Sequence, residues 1–256
     1  MPFEKELEIA RNIAAQAGQL ALDNQARGFE RETKPDNSPV TSADRANEQL
    51  ICQLLEQAFP DDGILGEEGA AREARSGRRW IIDPIDGTRN FIRGIPAWGV
   101  MLALEAEGEV VVGVCNLPPL RELYSGAAGL GAFCNGKPIR ISPAKLANQA
   151  LLCLTGFDKA LRYDFGNNLL HWIRRFWAVR SLGGCTDAMY VASGRAEVWI
   201  TLEAKAWDLA PLKIIGEQAG ARFFNFDGKS SIYGGNCVMT IPPLEAEIRQ
   251  FFKATN

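Results

Sequence analysis

Apolar residues return every three or four positions at the start of the chain, at Phe3, Leu7, Ala10, Ile13, Ala14, Ala17 and Leu20. That period predicts a helix over residues 3–22 with one buried face. The period is lost in "RETKPDNSPVTSAD" (31–44), where proline, serine and charge predict a mobile loop. It resumes in "NEQLICQLLEQAF", a second helix that stops at Pro60. Thr41 stands as its N-cap, with Asp44 three residues on as the acid of a capping box.

Beyond residue 60 the pattern shortens toward strands. "GILGEEGA" (63–70) reads as a short strand and a turn, and "RRWIID" as a strand ending at Asp83. "WGVMLALEAEGEVVVGVCNL" (98–117) holds two apolar runs around Glu-Gly-Glu, the pattern of a hairpin. "ELYSG", "GAFCNGKPIRIS", "ALLCLTGF" and "AEVWI" (196–200) read as further strands. Helical spacing returns over 165–176, 185–193 and 208–219, and "IYGGNCV" (232–238) reads as a turn into a late strand. There is no repeat. A soft boundary within 140–150 separates residues 1–145 from 146–256, two parts of one functional unit.

Composition narrows the classes. With 256 residues, 46% of them hydrophobic, the chain can bury a sizeable core. Its net charge of -3, with no run of five like charges, argues against nucleic acid and against an anionic membrane surface as partners. No apolar run approaches the ~18 residues of a membrane span. Acids in the first turns make the N-terminus an amphipathic helix rather than a signal peptide. Six scattered cysteines without a CxxC spacing read as reduced thiols of a cytoplasmic protein. The single histidine, His171, lies in the apolar-basic stretch "LLHWIRRF" and excludes zinc sites built on several histidines.

Acidic residues recur where regular structure begins or ends. Glu67 and Glu68 follow "ILG", Asp83 and Asp86 follow "WII", Asp208 opens "DLAPLKIIGEQAG", and Asp44 sits near its own helix start. Taken singly, Asp44 and Asp208 are accounted for as helix caps, and Glu67 and Glu68 as a solvated turn. Asp83 and Asp86 are harder to dismiss. A carboxylate ending a buried strand needs a partner or a metal. Pro84 stiffens the turn, and Gly87 lets backbone approach a ligand. Gly87 to Asn90 would open a helix whose free N–H groups hold an anion. Oxygen donors alone favour Mg²⁺ before Ca²⁺ or Mn²⁺, and a helix N-terminus beside the metal favours phosphate. Arg89 reads as a solvated helix residue and Trp98 as core or interface.

"DPIDGTRNF", with "GEEG" upstream and "AWDLAP" downstream, resembles the inositol monophosphatase family of Mg²⁺-dependent, lithium-sensitive phosphatases. The resemblance covers nearly the whole chain. It implies a layered αβαβα sandwich of the inositol monophosphatase and fructose-1,6-bisphosphatase type, and a homodimer. It implies that Glu67, Asp83 and the Ile85 carbonyl bind one metal, and Asp83, Asp86 and Asp208 a second. Thr88, held by Asp44, would work with Glu67 on the attacking water, while Gly87 and Thr88 N–H groups hold the phosphate. Loop 31–44, with Lys34, would be a flap that can add a third, weaker Mg²⁺ site; Mn²⁺ is a possible substitute.

The substrate reading is a small soluble phosphate ester. Arg93 replaces a histidine typical of inositol monophosphatases, and "RGIPAW" is similar to histidinol-phosphate phosphatases of the family. Thr201 stands where inositol-specific members carry a glutamate, with Glu203 close by to bind a hydroxyl or an amine. Gly183 and Gly184 fit the inositol pattern instead, their N–H groups meeting substrate, with Asp187 one turn away as a ligand contact or a cap. Histidinol phosphate therefore stands first, inositol 1-phosphate second and a broad polyol phosphatase third. A bisphosphatase would need extra basic contacts, for which Arg93, Arg180 and Lys205 are the candidates. A non-enzymatic regulatory interaction module is opposed by the retained acids, which would repel one another without a cation.

Overall fold

The computed structural model describes residues 2–253. Helix α1 (Glu4–Arg27) leads into a hairpin of β1 (Arg31–Thr33) and β2 (Pro39–Thr41), then α2 (Ser42–Ala58). Next come β3 (Gly63–Gly66), β4 (Ala71–Arg72), β5 (Arg78–Asp86), the short helix α3 (Thr88–Arg93), β6 (Gly99–Ala106) and β7 (Glu109–Leu117). Strands β8 (Glu122–Ala127), β9 (Gly131–Cys134) and β10 (Lys137–Pro138) complete an eight-stranded sheet of order β10-β9-β8-β7-β6-β5-β3-β4. All its pairings are antiparallel except β3 with β5. The rest of the chain supplies β11 (Leu151–Thr155), α4 (Gly166–Ile173), β12 (Ala178–Arg180), α5 (Gly184–Ala192), β13 (Val198–Thr201), α6 (Ala206–Gln218), β14 (Arg222–Phe224), β15 (Cys237–Thr240) and α7 (Pro242–Lys253). Its five strands form a second sheet, β12-β11-β13-β15-β14.

Period-two alternation assigns the faces. On β5, Trp80 and Ile82 pack with Leu7, Ile13, Ile51 and Leu55 of α1 and α2. Ile81 points the other way, into a cluster with Met189 of α5 and Leu212 and Ile215 of α6. On β13, Trp199 joins that same cluster, while Val198 and Ile200 face Leu169 of α4 and Ile248 of α7. The layers are therefore α1/α2, large sheet, α5/α6, small sheet, α4/α7: the expected αβαβα sandwich. Helix α6 lies between two sheets, and so it is apolar nearly all round, burying Leu209 to Gly216 without a break.

Three readings of the sequence need correction. Segment 31–44 is not wholly loop. Its flanks pair from Arg31–Thr41 to Thr33–Pro39, around a turn in which Asp36 accepts the Ser38 N–H at 2.9 Å. The strand "RRWIID" does not end at Asp83 but runs to Asp86 through a register shift. Pro84 has no N–H for the ladder, so the strand bulges there and continues. Helix α6 begins at Ala206, so Asp208 is its third residue and not its first. Thr41 caps α2 as expected, with the Thr41–Asp44 capping box complete.

Ile82 is fully buried between β5 and the α1/α2 layer. Ile82→Ala is expected to cost about 2–5 kcal/mol in urea unfolding, from lost burial and the cavity it leaves.

Candidate active site

The register shift in β5 decides where two carboxylates point. Regular alternation would put residues 83 and 85 on one face and 86 on the other. The bulge breaks that. Ile85 turns toward Ala43, Phe91 and Trp98, and Asp83 and Asp86 reach one common place. Asp208 joins them from α6, and one oxygen of each lies within 4.8 Å of the others. The parallel pairing of β3 with β5 sets Gly66 beside Ile82, and the Glu67 N–H donates to the Ile82 carbonyl at 3.1 Å. Glu67 thus emerges next to Asp83. The family-predicted acids come together although residues 67 and 208 are far apart in the chain.

Each of the three aspartates is held by backbone. Asp83 Oδ1 accepts from Ile85 N at 3.0 Å. Asp86 Oδ2 accepts from Cys185 N, in the first turn of α5, at 2.9 Å. Asp208 Oδ2 accepts from Lys205 N at 2.6 Å, closing the start of its own helix. Thr88 opens α3 after Gly87, whose φ of 85° is a conformation that glycine adopts freely. The Thr88 hydroxyl lies 3.1 Å from Asp44 Oδ1 and 3.1 Å from the Ile85 carbonyl, with one proton to donate to either. Asp44 Oδ2 accepts from the Thr41 N–H at 2.8 Å and from the Thr41 hydroxyl at 2.5 Å.

The electrostatics are those of a crowded acidic pit. Burial, then repulsion from Glu67, Asp86 and Asp208, pushes Asp83 far above the carboxylate range. Burial raises Asp86 against the Cys185 bond, and burial with Asp86 beside it raises Asp208 to about 7. Burial raises Glu67 too, although Lys34 opposes it. Lys34 reaches in from the β1–β2 turn and bonds Glu67 at 3.0 Å and Glu68 at 2.7 Å. Burial alone would lower Lys34, but the bonds to Glu68 and Glu67 hold it above the ordinary lysine value. Oxygen donors of like charge, held close and short of counter-charge, fit a hard divalent cation.

These groups line a cleft of about 310 Å³. Glu67, Asp83, Ile85, Asp86, Gly87, Thr88, Gly184, Glu203 and Asp208 all border it. Asp44 stands behind Thr88. Gly183 is not among the residues that border the cleft, and its N–H donates to Asp187 Oδ2 at 3.3 Å. Asp187 is buried and closes its own loop, also taking Leu182 N and the Thr155 hydroxyl; burial raises it to about 6. Glu203 is at the exposed rim, paired with Arg162 at 3.3 Å and Lys159 at 3.7 Å. Arg89 borders the cleft, whereas Arg93, Arg180 and Lys205 do not. Trp98 is core. Thr155 and Trp199 are lining residues missed in the sequence; Trp199 donates to the Thr155 hydroxyl at 3.2 Å. The alternation of "AEVWI" carried the missed signal, since Trp199 faces opposite to Val198 and Ile200.

The turn after β3, the end of β5 and the first turn of α6 bring Glu67, Asp83, Asp86 and Asp208 to one cleft at the edge of the middle helix layer. Fold and site together define a phosphoric monoester hydrolase of the layered α/β class. The chain belongs to the inositol monophosphatase family, whose model matches residues 3–253. A histidinol-phosphatase of Chlorobaculum parvum is 43% identical over 90% of this chain and 89% of its own. A protein named Nus factor SuhB, from Pasteurella multocida, is 33% identical over 93% of each chain. Among solved structures, the Thermotoga maritima IMPase superposes with a TM-score of 0.88 at 30% identity, covering 98% of this chain and 97% of its own.

The raised carboxylates make stability depend on pH. Protonated acids in the fold contribute stability that is complete below their ordinary value of about 4 and is lost as pH rises through their folded values. With Asp208 at about 7, the chelator-treated protein should therefore melt at lower temperature at neutral pH than at mildly acidic pH. Added Mg²⁺ should raise the melting temperature most at the higher pH. A profile that rises with pH in chelator would contradict the acidic-pit description.

Proposed function

We propose that the chain is a Mg²⁺-dependent phosphomonoesterase acting on a small soluble ester, with histidinol phosphate as its first substrate. The convergence of Asp83, Asp86 and Asp208 within 4.8 Å is the observation that carries the metal reading. Glu67, Asp83 and the Ile85 carbonyl would hold one Mg²⁺, and Asp83, Asp86 and Asp208 another. Bound there, the cations would supply Lewis-acid stabilisation of phosphoryl charge and a lowered pKa for water.

The side chains have their own tasks. When the Thr88 hydroxyl donates to Asp44, its lone pairs are left to accept a proton-bearing water. Glu67 stands as the carboxylate that takes the proton as that water's oxygen attacks phosphorus. The N–H groups of Gly87 and Thr88, at the start of α3, would hold the phosphoryl oxygens. The P–O ester bond breaks on the opposite side, and the leaving alkoxide becomes an alcohol by taking a proton from solvent water in the open cleft, while Glu67 returns its own proton to solvent. Gly184, Thr201 and Glu203 also border the cleft and would meet the leaving group.

Three features support histidinol phosphate: the relative named histidinol-phosphatase at 43% identity, Thr201 at the position where inositol-specific members carry glutamate, and a carboxylate, Glu203, at the rim. Inositol 1-phosphate is the second reading, supported by the likeness to the Thermotoga maritima IMPase. The scattered thiols support a reducing, cytoplasmic setting. Exposed Trp177 and Leu170 are the kind of side chain that a second copy would cover in a homodimer.

Phosphate release with Mg²⁺, with and without Li⁺, over histidinol phosphate, inositol 1-phosphate and fructose 1,6-bisphosphate tests the reading. Turnover of histidinol phosphate above the others is expected; release from inositol 1-phosphate and none from histidinol phosphate would refute the substrate. Asp83→Asn should lower kcat by at least about 100-fold, in keeping with the loss of electrostatic stabilisation, while circular dichroism stays native. Wild-type turnover in Asp83→Asn would overturn the metal assignment.

A further inference from the structure

Helix α2 turns three polar side chains inward. Asp44, Asn47 and Glu48 are spaced i, i+3, i+4, share one helix face and are all buried. Buried polar groups need partners, and these three reach three separate pieces of the active site, although Asn47 Oδ1 finds none among the described residues. Asp44 meets the Thr88 hydroxyl. Asn47 Nδ2 donates to the Pro84 carbonyl at 3.2 Å, inside the bulge of β5. Glu48 accepts the Glu68 N–H through Oε2 and the Ala70 N–H through Oε1, each at 2.9 Å.

The Glu48 contacts straddle the turn that presents Glu67. A Cβ on Gly66 would lie 2.2 Å from Glu48 Oε2, so the carboxylate fills the space that a side chain there would take. Residues 67–70 have no regular structure of their own, lying between β3 and β4. The Glu67 backbone is tied to β5 by a single bond, to the Ile82 carbonyl. Without Glu48, two N–H groups of this turn would lose their acceptor.

We propose that Glu48, assisted by Asn47, is a positioning residue. It clamps the 67–70 turn to α2 so that the Glu67 carboxylate keeps its place beside Asp83, and through that placement it sets cation affinity. Helix α2 is then the common jig for the 67–70 turn, the bulge of β5 and Thr88. This rests on the reading of Glu67 as a cation ligand.

The test is Mn²⁺ binding to the full chain without substrate, followed by electron paramagnetic resonance, for wild type, Glu48→Gln, Glu48→Asp, Glu67→Gln and Asp62→Asn. Asp62 is a buried carboxylate that holds Ser76, Arg78 and Trp80 away from the cleft, so its variant shows what destabilisation alone does. Glu48→Gln is expected to weaken Mn²⁺ binding by about 10-fold or more, as loss of a ligand's supporting partner does. Glu48→Asp keeps the charge but shortens the reach, and should weaken binding similarly; it carries the test if Glu48→Gln does not fold. Combined with Glu67→Gln, Glu48→Gln should add little. Wild-type binding by both Glu48 variants, or a loss no larger than that of Asp62→Asn, overturns the proposal. Wild-type binding by Glu67→Gln would instead bring down the ligand reading, and this inference with it.

Discussion

Mutual repulsion among buried and half-buried carboxylates is the constraint on which this molecule turns. Asp83 is fully sequestered, and Glu67, Asp86 and Asp208 lie close enough to raise its proton affinity. Such an arrangement costs stability in the absence of counter-charge, and the fold does little to relieve it from within. Among the described residues, Lys34 reaches the edge at Glu67 and Glu68, and no side-chain cation pairs with the three aspartates. Backbone N–H groups do the rest, one or more for each aspartate. The site is thus a strained feature whose relief is tied to what it binds.

The layers explain how such a pit can exist. Strands β5 and β13 belong to different sheets, yet Asp83 and Trp199 both point toward the central α5/α6 layer. The first turns of α5 and α6 meet there, giving Cys185 N to Asp86 and placing Asp208. Large apolar clusters on both sides of each sheet hold the strands rigidly, so a strained cluster at one edge does not collapse.

Much of this was legible in the chain. Period 3.6 located α1 and α2, and the Thr41–Asp44 capping box was written in the spacing of two residues. The acids were recognisable because their motifs are local: "GEEG", "DPIDGT" and "AWDLAP". What failed was long-range or conformational. Nothing local in "WIID" says that the strand survives Pro84 by bulging. The pairing of Arg31 with Thr41 flanks an Asx turn at Asp36, in a segment whose composition alone reads as a mobile loop. Gly183 looked free to meet a ligand, because the occupant of its N–H, Asp187, is identified only by the path of the following helix.

Asp44 has one oxygen on Thr41 and the other near Thr88. Thr41 is both the last residue of the hairpin and the cap of α2. A single carboxylate therefore joins the base of a surface arm to the Thr88 hydroxyl. Remodelling that arm would have to leave its final threonine in place, for the root is shared with the wall of the cleft, and it would have to keep the lysine that ties its tip to Glu67 and Glu68.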